Sequence, residues 1–335
     1  MLPFLDQFGD PGRLHAEGRA TRVALENARE QVAEFFGARP REVVFTSCGT
    51  EAVNAAHFGT RGHVVTSAVE HSSVRDALAR APVEVTVVGV DRLGRVDPGA
   101  VLAAVRPETT LVSVQLANHE VGTVQPVAEI RAGLDGARLH VDACAAVGHM
   151  PVRFDADLCS VTAHKFGGPL GAGALLVRRG LRIPPLLLGG AQERARRGGI
   201  ENLPAWIGFG AACAAIDVER EARAQYALIE RAAEVLDRVP GVARYGDDSP
   251  NVLCLGVEGV EAEPILLALD QHGVAVHSGS SCSSETLEPS PVLAAMGVDA
   301  DHSLRVSVGW STTEADVDRF VDVFPGIVER LRGLR

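Results

Sequence analysis

Residues 160–174 read Ser160-Val-Thr-Ala-His-Lys-Phe-Gly-Gly-Pro-Leu-Gly-Ala-Gly-Ala174. This stretch joins two apolar, β-branched runs that predict strands at Leu158–Thr162 and Ala172–Arg178. The four glycines and the proline that follow Lys165 fit neither a helix nor a strand. They are typical of a loop that lies close against a ligand, so we expect the lysine to face a bound group.

Lys165 is the only lysine in a chain of 335 residues, whose 32 basic residues are otherwise all arginine. Average usage would give about 20 lysines in a chain of this length. Arginine can replace lysine on most of a protein surface, but it never loses its proton, whereas a buried lysine can act as a neutral amine nucleophile. We therefore interpret Lys165 as chemically required, with a chance survivor as the alternative.

A carboxylate closes the strand that precedes this stretch. Asp142 ends the run Leu139-His-Val-Asp142, 23 residues before Lys165. Strand ends in an α/β sheet meet at one edge, so we expect this carboxylate and the lysine to lie at neighbouring strand ends. The simple interpretation of such a pair is a structural salt bridge. Pyridoxal phosphate needs such a pair, because the acid holds the pyridine nitrogen protonated and the amine attaches the cofactor. The glycine-rich loop favours the cofactor.

Strand and helix patterns alternate along most of the chain and predict an α/β, doubly wound, mostly parallel sheet. The predicted strands are Val43–Thr46, His63–Ser67, Glu84–Val90, Leu111–Leu116, Leu139–Ala143, Leu158–Thr162 and Ala172–Arg178. The predicted helices cover Arg13–Phe36 and residues 50–58, 72–80, 97–105, 126–134 and 204–238. We assign residues 11–240 to a large cofactor-binding domain.

The remaining residues predict a smaller α+β domain, 241–335 together with 1–10, because a chain this long exceeds one comfortable core. Its predicted strands are Val252–Val257, Val274–His277 and Leu304–Val308, and its predicted helices are Glu261–His272 and Pro291–Met296. A final helix is predicted to open with the capping box Ser311-Thr-Thr-Glu314.

Composition excludes several classes of protein. A formal net charge of −11 argues against direct nucleic-acid binding, since little basic charge is left to neutralise phosphates. An apolar run such as Ile183-Pro-Pro-Leu-Leu-Leu188 is far too short for a membrane span, and the first residues lack the basic start of a signal peptide. We expect a cytoplasmic protein.

The six cysteines have no spacing typical of a zinc site or a disulfide framework. Cys159, Cys213 and Cys254 lie in apolar runs and are expected to be buried. Cys282 instead lies in the small, polar stretch His277-Ser-Gly-Ser-Ser-Cys-Ser-Ser-Glu-Thr286. An exposed thiol of this kind is a liability unless it is used.

Thr46-Ser-Cys-Gly-Thr-Glu51 follows a predicted strand and opens a predicted helix. Small and hydroxyl residues at such a turn leave backbone N–H groups free at the positive end of a helix, where phosphate binds. An ordinary strand–helix turn is an equally good interpretation of this segment alone.

Taken together, the motifs resemble the pyridoxal-phosphate-dependent cysteine desulfurases of the NifS/IscS type, which are fold-type I enzymes of the class-V aminotransferase family. The resemblance covers nearly the whole chain. It rests on Phe45-Thr-Ser-x-Gly-Thr-Glu-Ala52, Glu70-His71, Asn118-x-Glu-x-Gly122, Val141-Asp-Ala143, Ala163-His-Lys-Phe-Gly-Gly-Pro-x-Gly-x-Gly173, Gly189-Gly-x-Gln-Glu193, Arg196-Arg-x-Gly-x-Glu-Asn202, Ser278-Gly-Ser-x-Cys282 and Leu304-Arg-x-Ser307.

The resemblance implies a role for each matching residue. Lys165 would hold the cofactor and take the α-proton of L-cysteine, and Cys282 would attack the substrate sulfur and carry it as a persulfide. The other implied roles are ring stacking and proton transfer by His71, pairing with the ring nitrogen by Asp142, phosphate binding by Gly49, Thr50, Thr162 and His164, and substrate binding by Arg305, Asn118 and His119. The resemblance also implies a homodimer in which the 196–202 loop reaches the other subunit.

The chain departs from the family at several positions. His119 stands where the family has Asn, Ala145 replaces a Gln that donates to the cofactor, and Ile200 replaces a Thr that reaches the partner's phosphate; Cys48 replaces a Gly. The chain also begins about 20 residues later than the usual opening of the family. We interpret Met1 as an internal start, with a protein that truly lacks this segment as the alternative.

Two other functions stay open beside the desulfurase. The chain could be a selenocysteine lyase or another pyridoxal-phosphate-dependent C–S lyase, or it could be a weakened scaffold subunit of a sulfur-transfer complex. The sulfur acceptor leaves no motif, so iron–sulfur cluster assembly, tRNA thiolation, DNA phosphorothioation and a sulfur-containing natural product all stay open.

Overall fold

The computed structural model describes residues 1–6, 9–247, 249–278 and 290–334. Its main feature is a seven-stranded sheet in the order β1-β7-β6-β5-β4-β2-β3. The strands are β1 (Val43–Thr46), β2 (Gly62–Ser67), β3 (Val83–Val88), β4 (Thr109–Gln115), β5 (Arg138–Asp142), β6 (Leu158–Thr162) and β7 (Gly173–Val177). All seven predicted strands are present, within a few residues of their expected ends.

The sheet is mostly parallel, as expected. Only β7 runs against its neighbours β1 and β6, while the other adjacent strands are parallel. The central strands are buried along almost their whole length, because helices cover both faces of such a sheet. The fold is therefore α/β, and the carboxyl ends of β4, β5 and β6 meet at one edge.

The helices of this half agree with the predicted ones, except at the longest and at the short element Gln192–Ala195, which was not predicted. They are α1 (Ala16–Phe36), α2 (Gly49–His57), α3 (Ser72–Arg80), α4 (Pro98–Ala103), α5 (Val127–Gly133), α6 (Gln192–Ala195), α7 (Leu203–Ala215), α8 (Val218–Ala232) and α9 (Val235–Arg238). The prediction of one helix over 204–238 was wrong. The side chain of Asp217 accepts the backbone N–H of Arg220 and starts α8 as an N-cap, which ends α7 at the preceding residues.

A second sheet of four antiparallel strands follows, in the order β10-β11-β9-β8. Its strands are β8 (Val242–Tyr245), β9 (Val252–Val257), β10 (His277–Ser278) and β11 (Ser303–Ser307), with helices α10 (Ala262–Gln271), α11 (Pro291–Met296) and α12 (Glu314–Arg332). Strand β8 was not predicted. A strand was also expected at Val274–His277, whereas the residues that pair with β11 are His277 and Ser278.

The last helix has a capping box, but not the predicted one. Thr313 is the N-cap and exchanges hydrogen bonds with Asp316, in place of Ser311 and Glu314. The hydroxyl of Thr312 is already engaged in a turn, where it accepts the backbone N–H of Gly309 at 3.0 Å. The helix therefore starts two residues later than expected.

Separate apolar cores support the two sheets. One cluster lies on the seven-stranded sheet with α1 and α7, and another joins β9 and β11 to α8, α10 and α12. A division near residue 240 stays a prediction, as does the grouping of residues 1–10 with the second domain; the turn Leu2–Phe4 contacts α7. In the described part of the chain, no helix is both long and apolar enough to cross a bilayer.

Candidate active site

A cavity of about 320 Å³ lies at the carboxyl ends of the central strands. It collects nine of the predicted site residues. These are Gly49, Thr50, His71, His119, Asp142, Thr162, His164, Lys165 and Arg305. Side chains that are up to 256 residues apart in the chain, from Gly49 to Arg305, therefore face one space.

Two of the predicted site residues are not among them. Asn118 lines a neighbouring cavity of about 430 Å³, and its buried amide donates to the carbonyl of Val69 and accepts the N–H groups of Glu120 and Val121. In this structure, these hydrogen bonds of Asn118 hold the loop that carries His119. Cys282 lies outside the described residues.

One wall of the cavity is the N-terminus of α2. Cys48 is the N-cap, and its Sγ accepts the N–H of Glu51 at 3.4 Å, so the first amides of the helix point into the cavity. A Cβ on Gly49 would come within 2.5 Å of the Cys144 Sγ, so no larger residue fits there. This wall is suited to an anion such as phosphate.

Lys165 lies on a single 3-10 turn, His164–Phe166, between β6 and β7. Phe166 is buried and holds the turn against the core, while Gly167 ends it at φ 86°, in the left-handed region that favours glycine. A loop pressed against a ligand was expected here, and the turn does carry the lysine into the cavity. Burial lowers the pKa of the neighbouring His164, and the Lys165 cation lowers it further.

Asp142 ends β5 beside this turn. The carboxylate accepts the N–H of Cys144 at 3.0 Å and is buried. In the sheet it lies between Gln115 of β4 and Ser160 of β6, its partners in register. Gln115 was not predicted as a site residue, although its place at the end of a predicted strand could have revealed it.

Beneath Asp142, two buried histidines form a chain of hydrogen bonds. His57 Nδ1 lies 2.8 Å from the carbonyl of Val53 and must donate to it, so its Nε2 accepts from the Ser113 hydroxyl at 3.0 Å. Ser113 then accepts from His140 Nδ1, and His140 Nε2 accepts from the Ser160 hydroxyl. Both rings are neutral in this arrangement, and burial lowers the pKa of each.

His71 and Glu70 approach the cavity from the start of α3. His71 is the N-cap of that helix, with Nδ1 accepting the N–H of Ser73 at 3.0 Å, which leaves Nε2 for the cavity. Glu70 is fully buried, and burial raises the pKa of its carboxyl to about 8, although bonds from the Ser67 hydroxyl and the Gln115 N–H oppose the shift. No local pattern in the sequence indicated this perturbed acid.

Arg305 and His119 meet at the opposite side. The Arg305 guanidinium donates to the carbonyl of His119 at 2.9 Å, and the imidazole of His119 lies 3.4 Å from the buried carboxylate of Glu120. The rings of His119 and His71 pack edge to face, with centroids 4.9 Å apart. A guanidinium and two imidazoles can thus converge on one small anionic ligand.

The donor set fits pyridoxal phosphate. The single amine matches the aldehyde of the cofactor, and the buried carboxylate matches its ring nitrogen. The helix N-terminus matches the phosphate, and the half-buried guanidinium matches the carboxylate of a substrate. Gly49 at the start of α2 leaves room for the Cys144 side chain, and both residues line the same cavity. Among the described residues, no group of His, Cys, Asp and Glu side chains could hold a metal ion.

Comparison with known proteins agrees with this geometry. The sequence model of the class-V aminotransferases matches residues 5–320. The chain belongs to the class-V aminotransferase family. Curated relatives within it include a cysteine desulfurase IscS from Dictyoglomus turgidum, 42% identical over 99% of this chain and 91% of its own length. Another, a cysteine desulfurase IscS from Methanosarcina thermophila, is 38% identical over 100% of this chain and 89% of its own.

Solved structures of similar proteins give the same fold. A NifS-like protein from Rickettsia africae has a TM-score of 0.90 at 30% identity, covering 98% of this chain and 94% of that one. SspA, solved in complex with cysteine, has a TM-score of 0.81 at 28% identity, covering 91% and 92%. The resemblance to the NifS/IscS type and the expected fold are confirmed.

Proposed function

We propose that the chain is a cysteine desulfurase that binds pyridoxal phosphate at Lys165. It takes L-cysteine and the Cys282 thiol and gives L-alanine and a Cys282 persulfide. The carbon–sulfur bond of the substrate breaks and a sulfur–sulfur bond forms. Of the two thiol protons, one replaces sulfur on the β-carbon of alanine and the other stays with the persulfide. The observation that carries the proposal is the convergence of Lys165, Asp142 and Arg305 on one cavity.

The residues divide the work of holding the reactants. Bound pyridoxal phosphate supplies an electron sink that weakens the bonds at the α- and β-carbons of an amino acid. Asp142 keeps the ring nitrogen protonated, while the α2 N-terminus with Gly49 and Thr50, together with Thr162 and His164, holds the phosphate.

Residues on the other wall of the cavity bind the substrate. Arg305 clamps the carboxylate of cysteine, and His119 faces the same space with its ring fixed by Glu120. The Lys165 amine takes the proton from the α-carbon, and the free Nε2 of His71 is placed to move a proton near the substrate. Asn118 supports the His119 loop from behind.

A homodimer is part of the proposal. Large apolar side chains are exposed on three loops, at Leu170, Leu188 and Ile200, and Asn202 ties the first and the last of these loops together through the carbonyl of Gly171. Burying such a patch in a second copy of the chain would remove it from water. We also propose that the sulfur acceptor is a separate protein.

The cytoplasm is the proposed location of the enzyme. The five cysteines that the described residues contain are all free thiols. Free thiols are typical of a reducing compartment. We also retain 11–240 as the cofactor domain and 241–335, with 1–10, as the second.

The test is product analysis with L-cysteine and reductant, on the wild type and on Cys282→Ser. We expect alanine and sulfide in equal amounts from the wild type and neither from the variant. Elimination that survives in Cys282→Ser would point to a C–S lyase. Absence of both products from cofactor-loaded wild type would favour a scaffold and contradict the proposal.

A further inference from the structure

A larger cavity lies at the other end of the seven-stranded sheet. β1 and β7 pair with Thr46 opposite Gly173 at the cofactor end and with Val43 opposite Leu176 at the far end. Residues just beyond the far end, within 39–42, 177–181 and 194–196, line an open space of about 670 Å³, and four of its arginines, Arg39, Arg41, Arg179 and Arg194, are exposed. This is about twice the volume of the cofactor cavity, and no part of the proposed function uses it.

The lining is strongly basic in a protein of net charge −11. Six arginines and one glutamate face the cavity, giving a local charge of +5: Arg39, Arg41, Arg178, Arg179, Arg194, Arg196 and Glu42. The glutamate offsets one of these charges, and its two oxygens accept the backbone N–H groups of Arg39 and Arg179 at 2.8 and 2.9 Å.

Four of the six guanidinium groups have no carboxylate within 4.0 Å in the part of the chain that the structure describes. Only Arg178 and Arg194 form ion pairs, with Asp155, Asp157 and Glu26. The four arginines of the cavity without a carboxylate partner are Arg39, Arg41, Arg179 and Arg196. Of these four, Arg196 donates to the carbonyl of Val43, at 3.2 Å. Guanidinium groups without a carboxylate partner repel one another, and an anion between them would relieve that repulsion.

The wall that carries Arg194 and Arg196 is strained and rigidly anchored. Three successive residues, Glu193, Arg194 and Ala195, have φ of 49°, 58° and 61°, a conformation that costs side-chain-bearing residues free energy. The buried carboxylate of Glu193 holds the turn through two bonds to Arg29, at 2.6 and 2.7 Å, and one to the N–H of Phe45. Burial and the neighbouring Arg194 and Arg29 cations lower the pKa of Arg196 to about 10, against the pull of Glu193.

We propose that this arginine cavity binds a compact polyphosphate anion, either free or as the phosphate tail of a nucleotide. Guanidinium forks match phosphate oxygens in pairs, and several negative charges in a small volume suit a pocket with a local charge of +5. The volume lies in the range of small-molecule sites. No aromatic side chain is among the lining residues, so the cavity offers no platform for a stacked base.

The experiment is isothermal titration calorimetry on the cofactor-loaded protein with sodium tripolyphosphate, ATP and sulfate at equal, low ionic strength. Loading the cofactor first keeps the α2 N-terminus out of the measurement. We expect saturable binding of tripolyphosphate and a loss of at least about tenfold in affinity in the double variant Arg41→Glu, Arg179→Glu. The matched control is Arg223→Glu, an exposed arginine of α8 that pairs with Glu219.

The outcomes separate the sources of the ligand. Equal affinity for ATP and tripolyphosphate supports recognition of the phosphate chain alone, and tighter ATP binding supports a nucleotide. No saturable binding at millimolar tripolyphosphate, equal binding of sulfate, or an equal loss in Arg223→Glu overturns the proposal. If charge reversal prevents folding, Arg41→Gln with Arg179→Gln replaces it. None of these readings depends on desulfuration, so the two proposals fail separately.

Discussion

The two ends of the seven-stranded sheet are built on opposite electrostatic principles. At the cofactor end, acids and bases alternate around the cavity, with Asp142 near Lys165 and Glu120 near His119. At the far end, six arginines face one another across the arginine cavity with a single glutamate, whose oxygens bind backbone N–H groups. Balanced charges position reactive groups within hydrogen-bond reach, whereas charges of one sign attract a ligand that brings the opposite charge.

The largest effect is expected at the cofactor end. Lys165→Arg keeps the positive charge but removes the amine that can lose a proton, so alanine production should fall by about 10³-fold or more. The visible absorbance of attached cofactor should also disappear. The matched control at the far end is Arg41→Lys, which should leave both readouts unchanged. A Lys165→Arg variant with near-normal activity would contradict the role of the amine.

At the far end, the ion pair beneath the arginine cavity should dominate stability. Glu193→Gln leaves Arg29 buried with a weakened partner, and loss of one member of a buried pair costs about 3–5 kcal/mol of unfolding free energy. The exposed pair of Arg231 with Asp318 is the control, where Arg231→Gln should cost no more than about 1 kcal/mol. Denaturant unfolding measures both. Similar losses in the two variants would show that the left-handed turn is not anchored by Glu193.

A smaller effect is expected from the histidine that this chain has in place of Asn. His119→Asn removes the ring beside Glu120 and Arg305, so the KM for cysteine should rise about tenfold while kcat changes less. His302→Asn, on the surface beside Asp299, should change neither. An unchanged KM in His119→Asn would place the substrate carboxylate elsewhere.

The smallest effect is a pH dependence of stability. Glu70 has a pKa of about 8 in the folded protein, above the ordinary value of 4.5, so the native state binds a proton more tightly than the unfolded chain between these values. Stability contributed by this group is therefore complete below about pH 4.5 and is lost as the pH rises towards 8. Melting temperatures of wild type and Glu70→Gln at pH 5 and pH 8 test this.

The variant should show the flatter dependence on pH, because the amide that replaces the carboxyl does not ionise. The nearby charges of Asp142 and His119 act on Glu70 in opposite directions, so a comparison at two pH values within one variant is safer than one across several variants. Equal slopes in the two proteins would mean that Glu70 stays charged in the fold.

Local sequence patterns could predict most of the seven-stranded sheet. Short β-branched runs separated by helical periods set β1 to β7, because the central strands among them must be buried on both faces. The break between α7 and α8 was missed, since it depends on one capping residue, Asp217, within a long helical pattern. Strand β8 is only half-buried, with the pattern partly exposed at Ala243, so its alternation provided little signal.

The cofactor cavity could be predicted because its residues lie in contiguous motifs. The arginine cavity could not, since its arginines come from segments far apart in the chain, and a net charge of −11 hides them. The sequence indicates Glu70 only as part of the Glu70-His71 motif, and the raised pKa of its carboxyl follows from burial, which the sequence does not reveal.

The most direct test of the desulfurase is mass spectrometry of the peptide that contains Cys282, after the cofactor-loaded protein meets L-cysteine without reductant. We predict that this peptide gains the mass of one sulfur atom, that the gain is reversed by a thiol reductant, and that Lys165→Arg abolishes it. An unmodified Cys282 peptide in a protein that releases alanine would contradict the proposed reaction.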